Sequence, residues 1–247
     1  MSASPTAILT NVTEYAGPPG ILALEDIGAK VYAHDKSFGD ASARAAYEKD
    51  HPTATAVAGD RLTVAARAFQ ETGRIDVLVE NSVGKGERHI TDCEDPDELH
   101  AWLADAATEM IVEPSRLLNY VARVMRDQKS GAIVLFGSES WMKPQSGTVY
   151  YSAMRATAPS MALGAARDLG RYGVQVNCIT PNYMESAEYY PPAVWDQPEK
   201  KKELAAIVPM GRLDTYREVA NVVRFLIDGK TQFLTGSTIK IDGGALV

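Results

Sequence analysis

Three side chains, those of Ser138, Tyr151 and Arg155, are spaced so that they could carry out acid–base chemistry. A helix would place Tyr151 and Arg155, which are four residues apart, on one face. A free phenol titrates near 10, but a cation about 4 Å from a phenolate stabilises it by roughly 4 kcal/mol at an effective dielectric constant near 20. Arginine holds that charge without competing for the proton. The pattern therefore predicts Tyr151 as a general base and Arg155 as its fixed charge, with Ser138 as a hydroxyl within reach of both.

Two neighbouring residues are alternatives within this pattern. Tyr150 could replace Tyr151 as the base, but the residue four positions after Tyr150 is Met154, which offers no charge. Ser140 lies close enough to Ser138 in sequence to be an alternative to it. Spacing therefore selects Tyr151, and it leaves the choice of serine open.

Composition and charge argue against several other classes of function. The 247 residues carry a net charge of −7, whereas binding to nucleic acid or to an anionic membrane needs basic patches. Cys93 and Cys178 have no disulfide or metal spacing, and the four histidines include no ligand pair, so we predict no metal site and a reducing, cytoplasmic location. The sequence has neither a signal-peptide pattern nor an apolar run of about 18 residues, so we predict no membrane association.

The elements that must position the three side chains alternate along the chain. Six short β-branched runs are predicted to be buried strands: Thr6–Val12, Ala29–Ala33, Ile75–Val79, Ala132–Phe136, Val174–Ile179 and Thr238–Ile241. Longer helical patterns accompany them: Gly17–Ile27, Ala41–Lys49, Arg61–Gln70, Asp97–Asp127, Val149–Leu169 and Tyr216–Leu226. This alternation predicts an α/β fold, a doubly wound parallel sheet of about seven strands with helices on both faces. No linker or repeat divides the chain, so we predict a single domain over residues 1–247.

Three polar or irregular segments follow predicted strand ends. Asn11 lies at the end of the first predicted strand, and Ser138 and Pro181 follow the ends of two others; in such a sheet ligands bind beyond the carboxyl ends where the winding reverses. The stretch from Pro181 to about Pro198 is rich in Pro, Tyr and Trp, and its length favours a functional lid over a passive connection. We therefore expect these segments to converge on one crevice.

These residues resemble the short-chain dehydrogenase/reductase superfamily over essentially the whole chain. The matching features are the first βα turn Thr10–Gly17, Asp35, Asn81, the Ser138/Tyr151 pair, Pro181 and the closing Asp242–Gly244. The resemblance implies a Rossmann-like domain. It also favours Ser138 over Ser140, because Ser138 keeps the family's distance to the tyrosine.

Three departures separate the chain from the dehydrogenases of that superfamily. Their first turn carries three glycines, but here Asn11 and Tyr15 take the first two positions and only Gly17 remains. A tyrosine at the second position would stand in the path of the cofactor pyrophosphate. Arg155 replaces the lysine that binds the nicotinamide ribose, and Asn182 stands where the dehydrogenases have glycine.

The three departures together resemble the halohydrin dehalogenases, a cofactor-independent branch with a Ser-Tyr-Arg triad. The resemblance implies that Ser138, Tyr151 and Arg155 are catalytic. It implies that the enzyme closes vicinal haloalcohols to epoxides with loss of halide, and that it opens epoxides with small anions in reverse. It also implies no cofactor, and a homotetramer formed through the long helices.

The same resemblance implies two further sets of residues. Halide would be bound by Tyr15 on one side and by the segment Pro181, Asn182, Tyr183 and Met184 on the other. Backbone N–H groups of Tyr183 and Met184 and the positive edges of aromatic rings suit a soft anion, and Asn182 would fix the loop. The substrate pocket would include Trp141, Tyr189 and Tyr190. Trp195 could help Tyr189 and Tyr190 to close it, with the register of these three residues open.

Asp35 is the residue that fits this interpretation least well. In the dehydrogenases an acid at that place binds the adenosine ribose and selects NAD. The alternative role is that of a cap for the helix that follows. An NAD-dependent oxidoreductase is therefore the alternative function, and a catalytically silent relative is a third.

Overall fold

The computed structural model describes residues 4–84, 88–187 and 189–247, and seven parallel strands form one sheet in it. The strands are β1 (Thr6–Leu9), β2 (Lys30–His34), β3 (Ala54–Val57), β4 (Val77–Asn81), β5 (Gly131–Phe136), β6 (Val174–Pro181) and β7 (Thr238–Ile241). They pair in the order β3-β2-β1-β4-β5-β6-β7. This order confirms the doubly wound sheet, and the winding reverses between β1 and β4.

Helices cover both faces of the sheet. They are α1 (Gly17–Asp26), α2 (Ala41–Asp50), α3 (Arg61–Thr72), α4 (Pro96–Ala107), α5 (Glu113–Gln128), α6 (Val149–Arg155), α7 (Thr157–Leu169), α8 (Pro192–Trp195), α9 (Pro198–Ile207) and α10 (Tyr216–Ile227). Alternate strand residues point to opposite faces, so Leu9 and Val79 pack under α1 and α10, while Ile8 and Leu78 pack under α3, α5 and α7. Within the described ranges, none of the helices has the length and apolar character needed to cross a bilayer.

The structure divides both of the long predicted helices. A five-residue π-helical segment, Thr108–Val112, separates α4 from α5, and Pro114 lacks the N–H that would bond to the preceding turn. Pro159 in the second stretch predicts a similar interruption, and the structure confirms it, because α6 ends at Arg155 and α7 begins at Thr157. Tyr151 and Arg155 therefore share the short helix α6.

Two further elements differ from the sequence prediction. Ala54–Val57 forms β3, an edge strand that pairs with β2 and that the sequence pattern did not indicate. The predicted lid after Pro181 contains the short helix α8, and position 188 within it lies outside the described residues. The segment is therefore partly regular.

The first βα turn is held tightly against the sheet. A Cβ atom at Gly17 would lie 2.4 Å from the carbonyl oxygen of Asn11, so no larger residue fits at the start of α1. The Asn11 Nδ2 atom donates to the Asn81 carbonyl at 2.7 Å, and the Asn81 Nδ2 atom donates to the carbonyls of Asn11 at 2.9 Å and Glu14 at 2.8 Å. These contacts fix the turn that carries Tyr15.

Candidate active site

Arg155 is buried between two phenol rings. Its side chain is 2% exposed, and its Cζ atom lies 5.0 Å from the ring centroid of Tyr151 and 5.2 Å from that of Tyr15. The Nη1 atom donates to the Ser82 carbonyl at 2.7 Å. Burial lowers the pKa of Arg155, but the nearby phenols of Tyr151 and Tyr15 outweigh it and raise the pKa above its ordinary value. The guanidinium is therefore a permanent charge beside Tyr151.

A buried acid lies behind this cation. Glu80 on β4 is buried, and the Ser82 hydroxyl donates to its two carboxylate oxygens at 2.9 and 3.0 Å. Burial raises the pKa of Glu80, and the cations Arg61 and Arg155 oppose that rise. Arg61 also pairs with Glu109. Arg155 thus belongs to a buried group of opposite charges, and this arrangement offsets the cost of burying it.

A pocket of about 580 Å³ opens beyond the carboxyl ends of the central strands. It is lined by Glu14, Tyr15, Val83, Gly84, Trp102, Ser138, Ser140, Lys143, Gln145, Thr148, Tyr151, Pro181, Asn182, Tyr183, Met184, Ser186, Tyr189 and Tyr190. Ser138 and Tyr151 are both in its wall, and Arg155 lies behind Tyr151. The structure therefore brings the three spaced residues together at one site.

Tyr15 crosses the crevice at the first turn. Its hydroxyl donates to the Gly137 carbonyl at 3.0 Å, and Gly137 immediately precedes Ser138. Its ring meets the ring of Tyr189 edge to face, with centroids 5.7 Å apart. Burial raises the pKa of Tyr15 well above its ordinary value and outweighs the opposing effect of Arg155. Tyr15 is therefore a fixed, protonated wall of the pocket.

Asp35 acts as a local cap. Its Oδ1 atom accepts hydrogen bonds from the Ser37 N–H at 2.9 Å and the Ser37 hydroxyl at 2.7 Å, at the start of a 3₁₀ turn. Its Oδ2 atom accepts from the Thr13 N–H at 3.1 Å and the Thr13 hydroxyl at 2.7 Å. Burial opposes ionisation, but these hydrogen bonds prevail and lower the pKa of Asp35. Both oxygens are thus engaged by the protein.

The contacts of Tyr15 and Asp35 show whether a dinucleotide would fit at the first βα turn. In the dehydrogenases the pyrophosphate approaches the backbone at the second position of the first turn, where the Tyr15 ring now stands. The ribose hydroxyls would need the Asp35 oxygens, which already accept four hydrogen bonds. The residues at the first turn therefore do not fit a dinucleotide bound in that manner.

The segment from Pro181 to Met184 lines the same pocket as Tyr15. The Asn182 N–H donates to the Ile241 carbonyl at 2.8 Å, and the Asn182 Oδ1 atom accepts from the Tyr183 N–H at 3.0 Å. The Tyr183 N–H was expected to face an anion, and this hydrogen bond engages it instead. No hydrogen bond from the Met184 N–H is present in the described part of the chain.

The residues expected to line or close the substrate pocket lie at different depths. Tyr189 and Tyr190 line the pocket, and the Tyr189 hydroxyl donates to the Gly84 carbonyl at 3.1 Å. Trp195 is not among the lining residues, and its ring meets that of Tyr190 edge to face with centroids 5.2 Å apart. Trp141 does not line the pocket. It ends a 3₁₀ turn begun by Ser138 and is 38% exposed.

Strained backbone is concentrated around the pocket. Among the described residues other than glycine, Asn11, Tyr15, Lys129 and Tyr183 have positive φ angles, of 46°, 48°, 57° and 54°. Three of these four lie at the first turn or in the Pro181–Met184 segment. Such conformations cost of order 1–3 kcal/mol each and occur where a site requires them.

Two residues of the site were not indicated by the sequence patterns. Trp102 on α4 lines the pocket, although its helix showed no feature beyond its length. Glu139, next to Ser138, is 0% exposed. Burial and the nearby Asp242 carboxylate raise the pKa of Glu139 to about 8, with Asn182 and Lys240 opposing the rise.

The buried carboxyl of Glu139 makes stability depend on pH. An acid whose pKa rises from 4.5 to about 8 on folding binds its proton more tightly in the folded state. Stability should therefore fall as pH rises through this window. Asp214, whose pKa burial raises to about 7, contributes with the same sign. His34, whose pKa burial lowers to about 4, has the opposite sign but is neutral in both states above its ordinary value of 6.5.

We expect Glu139→Gln to flatten the fall in melting temperature between pH 6.5 and 8.5, because glutamine stands for the protonated acid. The measurement is thermal unfolding across this range for the wild type and the variant. Glu94→Gln, an exposed change of the same net charge, is the control and should leave the slope unchanged. Parallel curves for wild type and Glu139→Gln would contradict the assignment.

Comparison with known proteins places this site in a family. The family model described as enoyl-(acyl carrier protein) reductase matches residues 23–245. The chain belongs to the short-chain dehydrogenase/reductase superfamily. As a member of that superfamily it carries the expected fold and the serine–tyrosine pair, together with the departures at Tyr15, Arg155 and Asn182.

Known proteins that are similar to this chain include both dehalogenases and dehydrogenases. A solved structure described as "Dehalogenation enzyme" is 31% identical, covers 98% of both chains and has a TM-score of 0.88. Halohydrin dehalogenase HheC, solved with ethyl (2S)-oxiran-2-ylacetate, is 28% identical, with 97% of this chain and 96% of that chain covered and a TM-score of 0.90. Cyclohexanol dehydrogenase of Rhodococcus sp. (strain TK6) is 32% identical over 70% of this chain. The chain spans 64% of that dehydrogenase.

Proposed function

We propose that this superfamily member is a halohydrin dehalogenase, a carbon–halide lyase that needs no redox cofactor. The observation that carries the proposal is the burial of Arg155 between Tyr151 and Tyr15. A permanent cation beside Tyr151 can balance the negative charge of a base at that position, and it cannot itself exchange protons. Tyr15 occupies the turn that a dinucleotide would need, and it leaves a pocket beside the base.

The reaction assigns each member of the triad one task. Ser138 holds the hydroxyl of a vicinal haloalcohol, and the Tyr151 phenolate accepts its proton. The alkoxide oxygen attacks the neighbouring carbon, a C–O bond forms, and the carbon–halogen bond breaks with its electron pair leaving on the halide. The products are an epoxide, a halide ion and a proton on Tyr151, while Arg155 balances the phenolate charge before transfer. In reverse, a small anion opens the epoxide and Tyr151 returns the proton.

The leaving halide would lie between Tyr15 and the Pro181–Met184 segment. The Met184 N–H is the backbone donor that we assign to it, because the Tyr183 N–H already donates to Asn182. Asn182 therefore shapes the segment through its side chain. Aromatic ring edges from Tyr15 and Tyr189 add weak positive potential suited to a soft anion.

An NAD-dependent oxidoreductase is the second candidate. Curated relatives such as cyclohexanol dehydrogenase favour it, and the Ser138/Tyr151 pair is common to both chemistries. The hydrogen bonds of Tyr15 and Asp35 argue against an NAD-dependent oxidoreductase, because they engage the groups that a dinucleotide would need. The two candidates differ in whether the reaction needs a nicotinamide.

We expect halide release from short chlorinated and brominated vicinal alcohols without any added cofactor. The assay is halide release over a panel of such alcohols, together with titration of the protein with NAD and NADP followed by nicotinamide fluorescence. Saturable cofactor binding at micromolar concentration, with alcohol oxidation and no halide release, would support the oxidoreductase instead. The absence of both activities would favour a silent relative.

The other proposed partners follow from this activity. We propose a small haloalcohol or epoxide and a halide ion as ligands, and a homotetramer as the assembly. The homotetramer is proposed from the resemblance to the halohydrin dehalogenases alone.

A further inference from the structure

One wall of the pocket is formed by a tryptophan that the triad chemistry does not use. Trp102 on α4 is partly buried and lines the same pocket as Ser138 and Tyr151. The helix that carries it follows β4 after the 82–95 connection, so it approaches the pocket from a different element than the lid does. Trp102 therefore adds an aromatic surface separate from Tyr189 and Tyr190.

Two neighbours hold the Trp102 ring in place. The Arg88 guanidinium carbon lies 5.3 Å from the ring centroid, and the Arg88 Nη2 atom is anchored by the Glu98 carboxylate at 3.1 Å. Tyr150 meets the indole edge to face at 5.9 Å. A cation over a tryptophan ring contributes about 0.5–1 kcal/mol at exposed sites and more when desolvated. The ring is therefore oriented before any ligand arrives, and Tyr150, the discarded candidate base, has a positioning role.

The pocket is much larger than the triad chemistry requires. Its volume of about 580 Å³ lies within the range of about 300–1,000 Å³ that is typical of pockets for much larger ligands. A haloalcohol of three carbons would occupy only a small part of it. The side chains Trp102, Tyr15 and Tyr189 make its wall strongly aromatic.

We infer that Trp102 is a specificity-determining residue, and that its ring binds a flat aromatic group carried by the substrate directly on the hydroxyl-bearing carbon of the reacting pair. This inference rests on the proposed function and names the substrate class for it: aryl-substituted vicinal haloalcohols and epoxides. Rigid, oriented rings bind such groups well, because an edge-to-face or offset stack is gained without ordering the protein.

The test measures binding and turnover separately. Calorimetric titration compares 1-phenylethane-1,2-diol with propane-1,2-diol, which carry the hydroxyl end of the substrate but no halogen and so cannot react. We expect the wild type to bind the phenyl compound about tenfold more tightly or better, and Trp102→Ala to lose about tenfold of that preference. Trp102→Phe keeps a ring and should retain most of it. Trp102→Leu provides a second truncation if the alanine variant does not fold.

Trp141→Ala is the matched control, because it removes the same side chain outside the pocket lining. We expect it to leave the preference for the phenyl compound unchanged. Unchanged preference in both Trp102→Ala and Trp102→Leu would overturn the inference, and so would an equal loss in Trp141→Ala.

The turnover arm separates this inference from the proposed function. The ratio of kcat/KM for 2-chloro-1-phenylethanol over 1-chloro-2-propanol should fall about tenfold in Trp102→Ala. Halide release with an unchanged ratio would overturn the role of Trp102 and leave the dehalogenase in place. Lost diol preference in Trp102→Ala without halide release from any haloalcohol would support the aromatic subsite and refute the dehalogenase.

Discussion

Tyr151→Phe is expected to lower kcat for halide release by about 10²- to 10⁴-fold while the protein stays folded. The change removes only the oxygen that accepts the substrate proton and keeps the ring that packs 5.0 Å from the Arg155 guanidinium. The loss should appear in kcat, because the proton is transferred in the transition state. Halide release at saturating haloalcohol measures it directly.

The matched control for this change is Tyr120→Phe. Tyr120 on α5 is also partly buried, but it packs against the hydrophobic core and does not line the pocket. Its rate should stay within about twofold of the wild type. Melting temperatures of both variants show whether either change affects the fold. Residual activity near the wild-type rate in Tyr151→Phe would rule out Tyr151 as the base.

The fold could be predicted from the sequence because its central strands are almost continuously apolar. Runs such as Val77–Val79 and Ile133–Phe136 are buried on both faces, and only a parallel sheet with two helical layers provides that environment. The edge strand Ala54–Val57 was missed because alanine and a four-residue length give little β signal. These residues form a strand because they pair with β2, which is a tertiary contact that the local sequence does not encode.

The candidate site was predictable where it depended on local spacing. Tyr151 and Arg155 lie on α6, so their separation of four residues was enough to place them together. The Tyr183 N–H could not be assigned from the sequence, because its partner is decided by the rotamer of the adjacent Asn182. Trp102 was missed for a related reason. A tryptophan in a long amphipathic helix usually packs in a core, and only the path of the chain shows that this one faces a pocket.

Asp35 shows how one residue type serves two roles at one position of the fold. An acid after β2 is typical of NAD-binding relatives, and the sequence pattern could not separate that role from capping. Thr13 decides between the two roles, since its backbone N–H and its side-chain hydroxyl both donate to the same Asp35 carboxylate oxygen. These hydrogen bonds account for an acid at position 35 without an NAD ribose, so Asp35 no longer disagrees with the function that the triad suggests.

Arg155→Lys tests whether the triad needs a fixed charge or any cation, and we expect kcat to fall about 10- to 100-fold. A lysine cannot donate to the Ser82 carbonyl and lie against both phenol rings at once, and loss of a hydrogen bond from a charged group costs about 1.5–3 kcal/mol. A buried ammonium also loses its proton more readily than a guanidinium. The deficit should therefore widen as pH rises from 7 to 10.

The pH–rate profile of Arg155→Lys is the decisive measurement, and Arg171→Lys is its control. Arg171 also lies over a tyrosine ring, 4.9 Å from that of Tyr172, but it is exposed and outside the pocket. Its profile should match the wild type. If Arg155→Lys also matched the wild type in rate and in pH dependence, a titratable cation would serve as well as a permanent one. Packing against Tyr15, and not the chemistry of Tyr151, would then explain why residue 155 is an arginine.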